Sequence, residues 1–373
     1  MKTGIAHLPL HGGKAPRWLF DRMTKLARGM VMVIIEEYGP EEMLKRLSDP
    51  YWFQAFGCVL GFDWHSSGLT TTVGGALKEG LRDVELEIGF FVAGGKGGTS
   101  RKTPQEIETV SERTGIDAKP LVYASRMAAK VDSAALQDGF ELYHHNFFHT
   151  SSGRWCVVQQ GMNKENRYAR RYHWLGDKVS DFVCEPHAAV CCDFQTAVLN
   201  MVHRESEKAR QRSVVISRHD PDRTFHELEA IVRLDMPRRH GIREEFDIDP
   251  KRFHKVLLKT YEYQPNGFET LLSMQGIGPK TIRALTLMSE LIYGERPSYQ
   301  DPVRYSYAHG GKDGFPYPVD RKTYDQSIDC LRLALDRSKI DRSERIHALK
   351  RLVAFYDSRS PQRNQNRVTG GLP

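Results

Sequence analysis

Apolar side chains recur at helical spacing through Leu19, Met23, Leu26, Met30, Val33 and Ile34, which predicts a helix entered at Pro16 and stopped at Gly39. Asp49-Pro50 caps a second helix carrying Trp52, Phe53 and Phe56, closed by Gly57 or Gly61. Val84 to Val92 alternates loosely and reads as a strand. Thr103-Pro104-Gln105-Glu106 is the signature of a capping box with proline in the first turn. Phe140 to Thr150 and Trp155 to Gln160 read as a β-hairpin turning at Ser151-Ser152-Gly153. Glu141, Tyr143, His145 and Phe147 then share one face, and Leu142, His144, Asn146 and Phe148 the other.

After about residue 175 strand patterns fade beyond Val183 to Val190 and helices dominate. A long helix is expected from Asp193, charged through Arg204 to Arg212. A turn-rich break follows at Ser217 to Arg223, then a helix from Phe225. Asp249-Pro250 caps a helix carrying Phe253, Val256, Leu257 and Tyr261. Phe268 to Met274 is a short apolar helix pattern, and Lys280 to Ile292 a longer one with Ile282, Leu285, Met288 and Ile292 in phase. The whole predicts an α+β chain: a mixed α/β domain over 1–175, followed by an all-α domain over 176–373 with a helix-hairpin-helix at 267–293.

The turn of that unit, Gln275-Gly276-Ile277-Gly278-Pro279-Lys280-Thr281, carries the chemistry most directly. Glycines permit a tight turn and close approach of another molecule. The N–H groups opening the second helix, with the positive end of its dipole behind them, form a seat for a phosphate. A net charge of +7 and a pI near 9.0 favour an anionic partner, and DNA supplies the phosphate. No apolar run approaches membrane-spanning length and no signal peptide is evident, so a cytoplasmic protein is expected, with no membrane partner. The six cysteines show neither C-x-x-C nor disulfide-scaffold spacing, and Cys191-Cys192 read as reduced, buried side chains.

Two further regions invite a nucleic-acid reading. Gly94 to Lys102 is a glycine-rich basic loop in which Lys96, Arg101 and Lys102 would meet phosphates, although it lacks P-loop spacing; a solvated loop is the plain alternative. Asn163 to Trp174 interleaves basic and aromatic residues, as suits a single-stranded or distorted nucleic acid, or else a helix with an aromatic core face. Gly61 to Thr72 has the composition of a functional loop or of a hydrogen-bonded turn. Asp63, His65, Asp138, Glu141, His144 and His145 would, if they converged, make a nuclease site holding a divalent cation, Mg or Mn, to activate water.

Leu272 to Thr281, with Phe315-Pro316-Tyr317-Pro318-Val319-Asp320 downstream, resembles the hairpin and the Val-Asp segment of the helix-hairpin-helix DNA glycosylases. The chain as a whole resembles a conserved prokaryotic family known only as a domain of unknown function. The glycosylase resemblance implies that Lys280 attacks the anomeric carbon of a damaged or abasic nucleotide and that Asp320 assists. A Schiff base would then permit β-elimination, without cofactor. Lys280 would have to be neutral, through burial or a cationic neighbour such as Arg283 or Arg321. Tyr299, Tyr305, Tyr307, His309 and Phe315 are candidates to line the pocket for a flipped base. The interval from Lys280 to Asp320 is longer than usual there, making Ser298 to Tyr317 an added loop. Only Cys330 lies beyond Asp320, so no iron–sulfur cluster is expected. Three readings stand: a DNA glycosylase with lyase activity, a metal-dependent nuclease in residues 1–175 with a DNA-gripping hairpin, and a non-catalytic DNA-binding protein. Lesion and oligomeric state are not encoded in these motifs.

Overall fold

A computed structural model of the chain describes residues 15–62, 67–165, 167–192, 195, 198–232, 250–303, 321–338 and 340–357. The chain opens with α1 (Arg17–Tyr38), α2 (Pro40–Ser48), α3 (Pro50–Leu60), α4 (Gly68–Leu81) and the single turn α5 (Glu85–Ile88). Next come β1 (Phe90–Lys96), a 3-10 turn (Gly97–Lys102), α6 (Thr103–Thr114) and α7 (Ala118–Lys130). A π-helical turn (Val131–Ala135) leads into β2 (Leu136–Gln137), β3 (Glu141–Thr150), β4 (Trp155–Asn163), β5 (Tyr168–Leu175), β6 (Ala189–Cys191) and β7 (Leu199–Asn200). The chain continues through α8 (Glu207–Ser217), α9 (Pro221–Val232), α10 (Pro250–Tyr263), α11 (Phe268–Ser273), α12 (Pro279–Tyr293), α13 (Arg321–Arg337) and α14 (Arg342–Asp357).

The centre is a five-stranded antiparallel sheet in the order β1-β3-β4-β5-β6, beside a short β2-β7 ladder. Alternation along each strand gives the sheet two apolar faces. Phe147, Val157, Tyr172 and Trp174 pack with α6 to α12. Phe148, Cys156, Val158 and Leu175 pack with α1 to α4 and with Leu331, Leu335 and Leu352 of α13 and α14. Mixed helix and antiparallel sheet is the α+β composition that the pattern predicts.

Local signals account for most boundaries. Asp49 accepts from the N–H groups of Tyr51 and Trp52, and Gly61 closes α3 in the left-handed conformation. Other expectations are corrected. The strand expected from Val84 begins at Phe90, because Glu85–Ile88 coils into a helical turn ended by left-handed Gly89. The capping box does not close: Glu106 accepts instead from Gly94 N (2.7 Å) and Lys78 Nζ, tying α6 to β1 and α4. Residues 68–72 belong to α4 rather than to a loop. A β-bulge between Leu142 and His144 turns Tyr143 onto the α4 face, where its hydroxyl accepts from Gln160. The helix expected from Asp193 starts only at Glu207, after β7.

Tyr168 to Trp174 is neither an exposed basic patch nor a helix. It is β5, flanked on both sides by strands and on both faces by helices, and Arg170 and Arg171 are fully buried. Arg170 donates to Asp138 (3.0 Å) and Asp301 (2.7 Å), and Tyr172 donates to the same Asp138 oxygen (2.6 Å). Arg171 points the other way, donating to Thr70 and Gln54 and lying over the Phe53 ring. Burial pushes the Asp138 carboxyl above the ordinary carboxylate range, with Arg170 pulling against it.

Candidate functional site

α11 and α12 are joined by a short turn over residues 274–278, the stretch expected to be a hairpin. Residues 274–278 make a tight connection in which Met274 N donates to Leu271 O and Ile277 N to Met274 O. Gly276 has φ +98°, a conformation that favours glycine. Gly278, at φ −140° and ψ −174°, is ordinary extended backbone and caps α12, its carbonyl accepting from Ile282 N (3.0 Å). Pro279 then sits in the first turn, where no N–H is needed. Gln275, Gly276, Pro279 and Lys280 are exposed, and Gly278 is half-buried. Ile277 and Thr281 are buried, so toward DNA they would offer backbone alone.

What holds the turn in place comes from far away in sequence. Lys130, at the end of α7, donates to Met274 O (3.1 Å) and to Ile277 O. Gln137 donates to Pro279 O (2.8 Å) and accepts from Arg283 Nε (2.7 Å). Burial lowers the Lys130 pKa from its ordinary value. The carbonyl side of the hairpin is thus bolted to the first half of the chain, and its glycine side is left outward. Lys280 stands exposed on the first turn of α12, and Arg283 is engaged by Gln137. Asp320, Tyr305, Tyr307, His309 and Phe315 lie outside the described residues. Tyr299 donates to Glu290 (2.6 Å).

Lys96, Arg101 and Lys102 are exposed, as a phosphate contact requires. Lys96 ends β1 and lies 5.8 Å from the centre of the Tyr143 ring; Arg101 and Lys102 end the 3-10 turn. The described members of the expected nuclease set do not converge. His144 and His145 are successive strand residues and point to opposite faces of the sheet. Asp138 is consumed by Arg170 and Tyr172, and exposed Glu141 pairs with Lys164 (2.9 Å). Asp63 and His65 lie outside the described residues. Among the described residues no group of three or more His, Cys, Asp or Glu is arranged to hold a metal ion.

A buried polar chain on the α7 face escaped the sequence reading. Asp132, fully buried in the π-helical turn, accepts from Gln159 Nε2 and Trp174 Nε1 (3.0 Å) and pairs with His187 Nε2 (2.5 Å). Gln159 Nε2 also donates to Ala128 O, which leaves its Oε1 to accept from His145 Nδ1 (2.7 Å). His145 Nε2 then accepts from the Ser125 hydroxyl (3.0 Å). His187 closes the chain at a small pocket lined by Glu185, Asn200, Val202, His203 and Pro302. Because the Asp132 carboxylate only accepts, it fixes the proton on Nε2 and leaves Nδ1 of His187 as a proton acceptor. Glu185, at the pocket wall, holds φ +48°, and arginine Arg204 pairs with it. No spacing motif signals this group.

The sequence model of the family described as "Protein of unknown function (DUF763)" matches residues 4–319. No curated protein and no solved structure matches the chain.

Proposed function

We infer that this chain, which belongs to the DUF763 family by its match over residues 4–319, binds DNA by seating a backbone phosphate at the hairpin turn and carries out lyase chemistry there through Lys280. The observation that carries the binding is the turn itself. Exposed, left-handed Gly276 and the opening of α12 face outward, while Lys130 and Gln137 take up the carbonyls behind them. The lyase step rests on the place of Lys280 beside that seat and on the resemblance of the Gly-x-Gly-Pro-Lys segment to the glycosylase hairpin. Attack needs a neutral amine, and DNA closing over Lys280 would supply the desolvation that favours a free lone pair. The amine nitrogen would bond to the anomeric carbon of an abasic sugar, water would leave, and the resulting imine would allow β-elimination of the 3′ phosphate. By the same resemblance Asp320, outside the described residues, would assist the attack.

The test is borohydride trapping of the full-length chain on a duplex with one abasic site. The wild-type chain should give a covalent adduct, unaffected by EDTA, and Lys280→Ala should lose at least ten-fold of it. Trapping of Lys280→Ala at the wild-type level rules the lysine out. The Asp132–His187 pair at its pocket favours a second reading, hydrolysis in which His187 Nδ1 takes a proton from water. In that case strand cleavage occurs without an adduct, survives Lys280→Ala and is lost in His187→Asn.

A further inference from the structure

Helix α10 is packed by one arc of its surface, formed by Phe253, Val256, Leu257 and Thr260. Val256 lies at the edge of that arc and meets the hairpin: a Cβ built on Gly276 would lie 3.5 Å from Val256 Cγ2. At about 100° per residue, Arg252 and Lys259 fall within about 60° of Val256 on the outward side, and Lys255 within about 100°. All three are exposed. Neither Lys255 nor Lys259 takes part in an ion pair among the described residues. Glu262, at the far edge, is the acidic residue that borders this flank. Tyr263 continues the row toward the helix end and is 63% exposed. A cationic strip therefore starts where the hairpin turn ends, on a helix that touches the turn.

We propose that this flank of α10 is a second DNA contact, along which the duplex backbone seated at the hairpin continues across Lys255 and Lys259. The proposal builds on the hairpin reading and extends it from one phosphate to a run of them. The occupant is set by charge complementarity: two ammonium groups one helical turn apart, unpaired among the described residues and next to a phosphate seat, match a polyanion and would repel a basic surface. An undamaged DNA duplex is sufficient to test this, because phosphate contacts carry no sequence information.

Affinity of the full-length chain for a duplex oligonucleotide would be measured across a salt series. Each phosphate neutralised contributes about 0.9 to the slope of log K against log salt. Lys255→Ala/Lys259→Ala should flatten that slope by about 1.8, whereas Lys255→Arg/Lys259→Arg should leave it in place. Both lysines are exposed, and unchanged thermal unfolding would show that the fold is intact. An unchanged slope in the alanine variant, in a chain that binds duplex, overturns the α10 contact. Loss of slope in that variant, with no effect of Lys280→Glu, which would set a carboxylate beside the seat, upholds α10 and removes the hairpin. A wild-type chain without salt-dependent binding removes both.

Discussion

Arg170 is a full positive charge with no exposed surface, and its two carboxylates, Asp138 and Asp301, are almost as deeply buried. Such a group adds little net stability over a well-packed apolar core, but removing one member strands the others. Arg170→Met should therefore cost about 3–5 kcal/mol, read as a lowered urea midpoint, because it leaves two carboxylates facing each other in the dark of the core. Arg170→Met with Asp138→Asn should recover part of that loss. Full additivity of the two substitutions would show that they do not interact. In the sequence, Arg170 and Arg171 sit among Tyr168, Tyr172 and Trp174 and look like a surface that grips nucleic acid. Composition is the same for a basic aromatic surface and for a central strand. What separates them is that β4 and β6 flank β5 and helices cover both faces, and no local pattern records that. Asp132 and His187 were hidden for the same reason: 55 residues part them, and only the π-helical turn brings the carboxylate to the imidazole.

At the scale of elements, the hairpin was legible because its constraint is local. A positive φ demands glycine wherever the rest of the chain goes, and Gly276 supplies it. The two glycines nevertheless differ. Gly276→Val places a β-branched residue in a left-handed turn and should destabilise the chain by about 1–3 kcal/mol. Gly278→Ala changes an extended residue with open space around its Cβ and should shift stability by less than about 0.5 kcal/mol. Equal losses in thermal unfolding would refute this division of labour. The supports of the hairpin were not legible, because Lys130 and Gln137 lie more than 140 residues upstream of the carbonyls they hold. The glycine-rich stretch after β1 gives the opposite lesson. Gly94 reads as part of a mobile phosphate loop, yet it has φ +91° and an added Cβ would stand 2.1 Å from His145 O. Its glycine is required by strand packing, and only Gly97 and Gly98 have the open surroundings of a loop tip.

The molecule as a whole is built on one sheet whose two faces are each covered by helices from both ends of the chain, α6 and α7 with α8 to α12 on one side, α1 to α4 with α13 and α14 on the other. Sequence order shows sheet first and helices later, and says nothing of α13 returning to α1. This arrangement makes the sheet histidines a common liability. His144 and His173 lie on the face toward α1 to α4, His149 on the face toward α7, and burial holds all three neutral, with pKa values lowered to about 3, about 3 and about 4. In the unfolded chain each would titrate near 6.5. Above that value both states are neutral and the histidines are silent. Below it the unfolded chain binds protons that the folded chain refuses, so stability falls as pH drops from about 6.5 toward about 4. Each histidine contributes up to about 1.4 kcal/mol per pH unit within the window. Asp138, raised by burial, works in the opposite direction. Since both faces of the one sheet lose their grip over the same window, urea unfolding should remain a single transition whose free energy drops by several kcal/mol between pH 6.5 and 4.5. His173→Phe should reduce that dependence, because a side chain that cannot be protonated removes one of the three differential sites; stability that is flat across the window would mean that these histidines are hydrated in the folded chain.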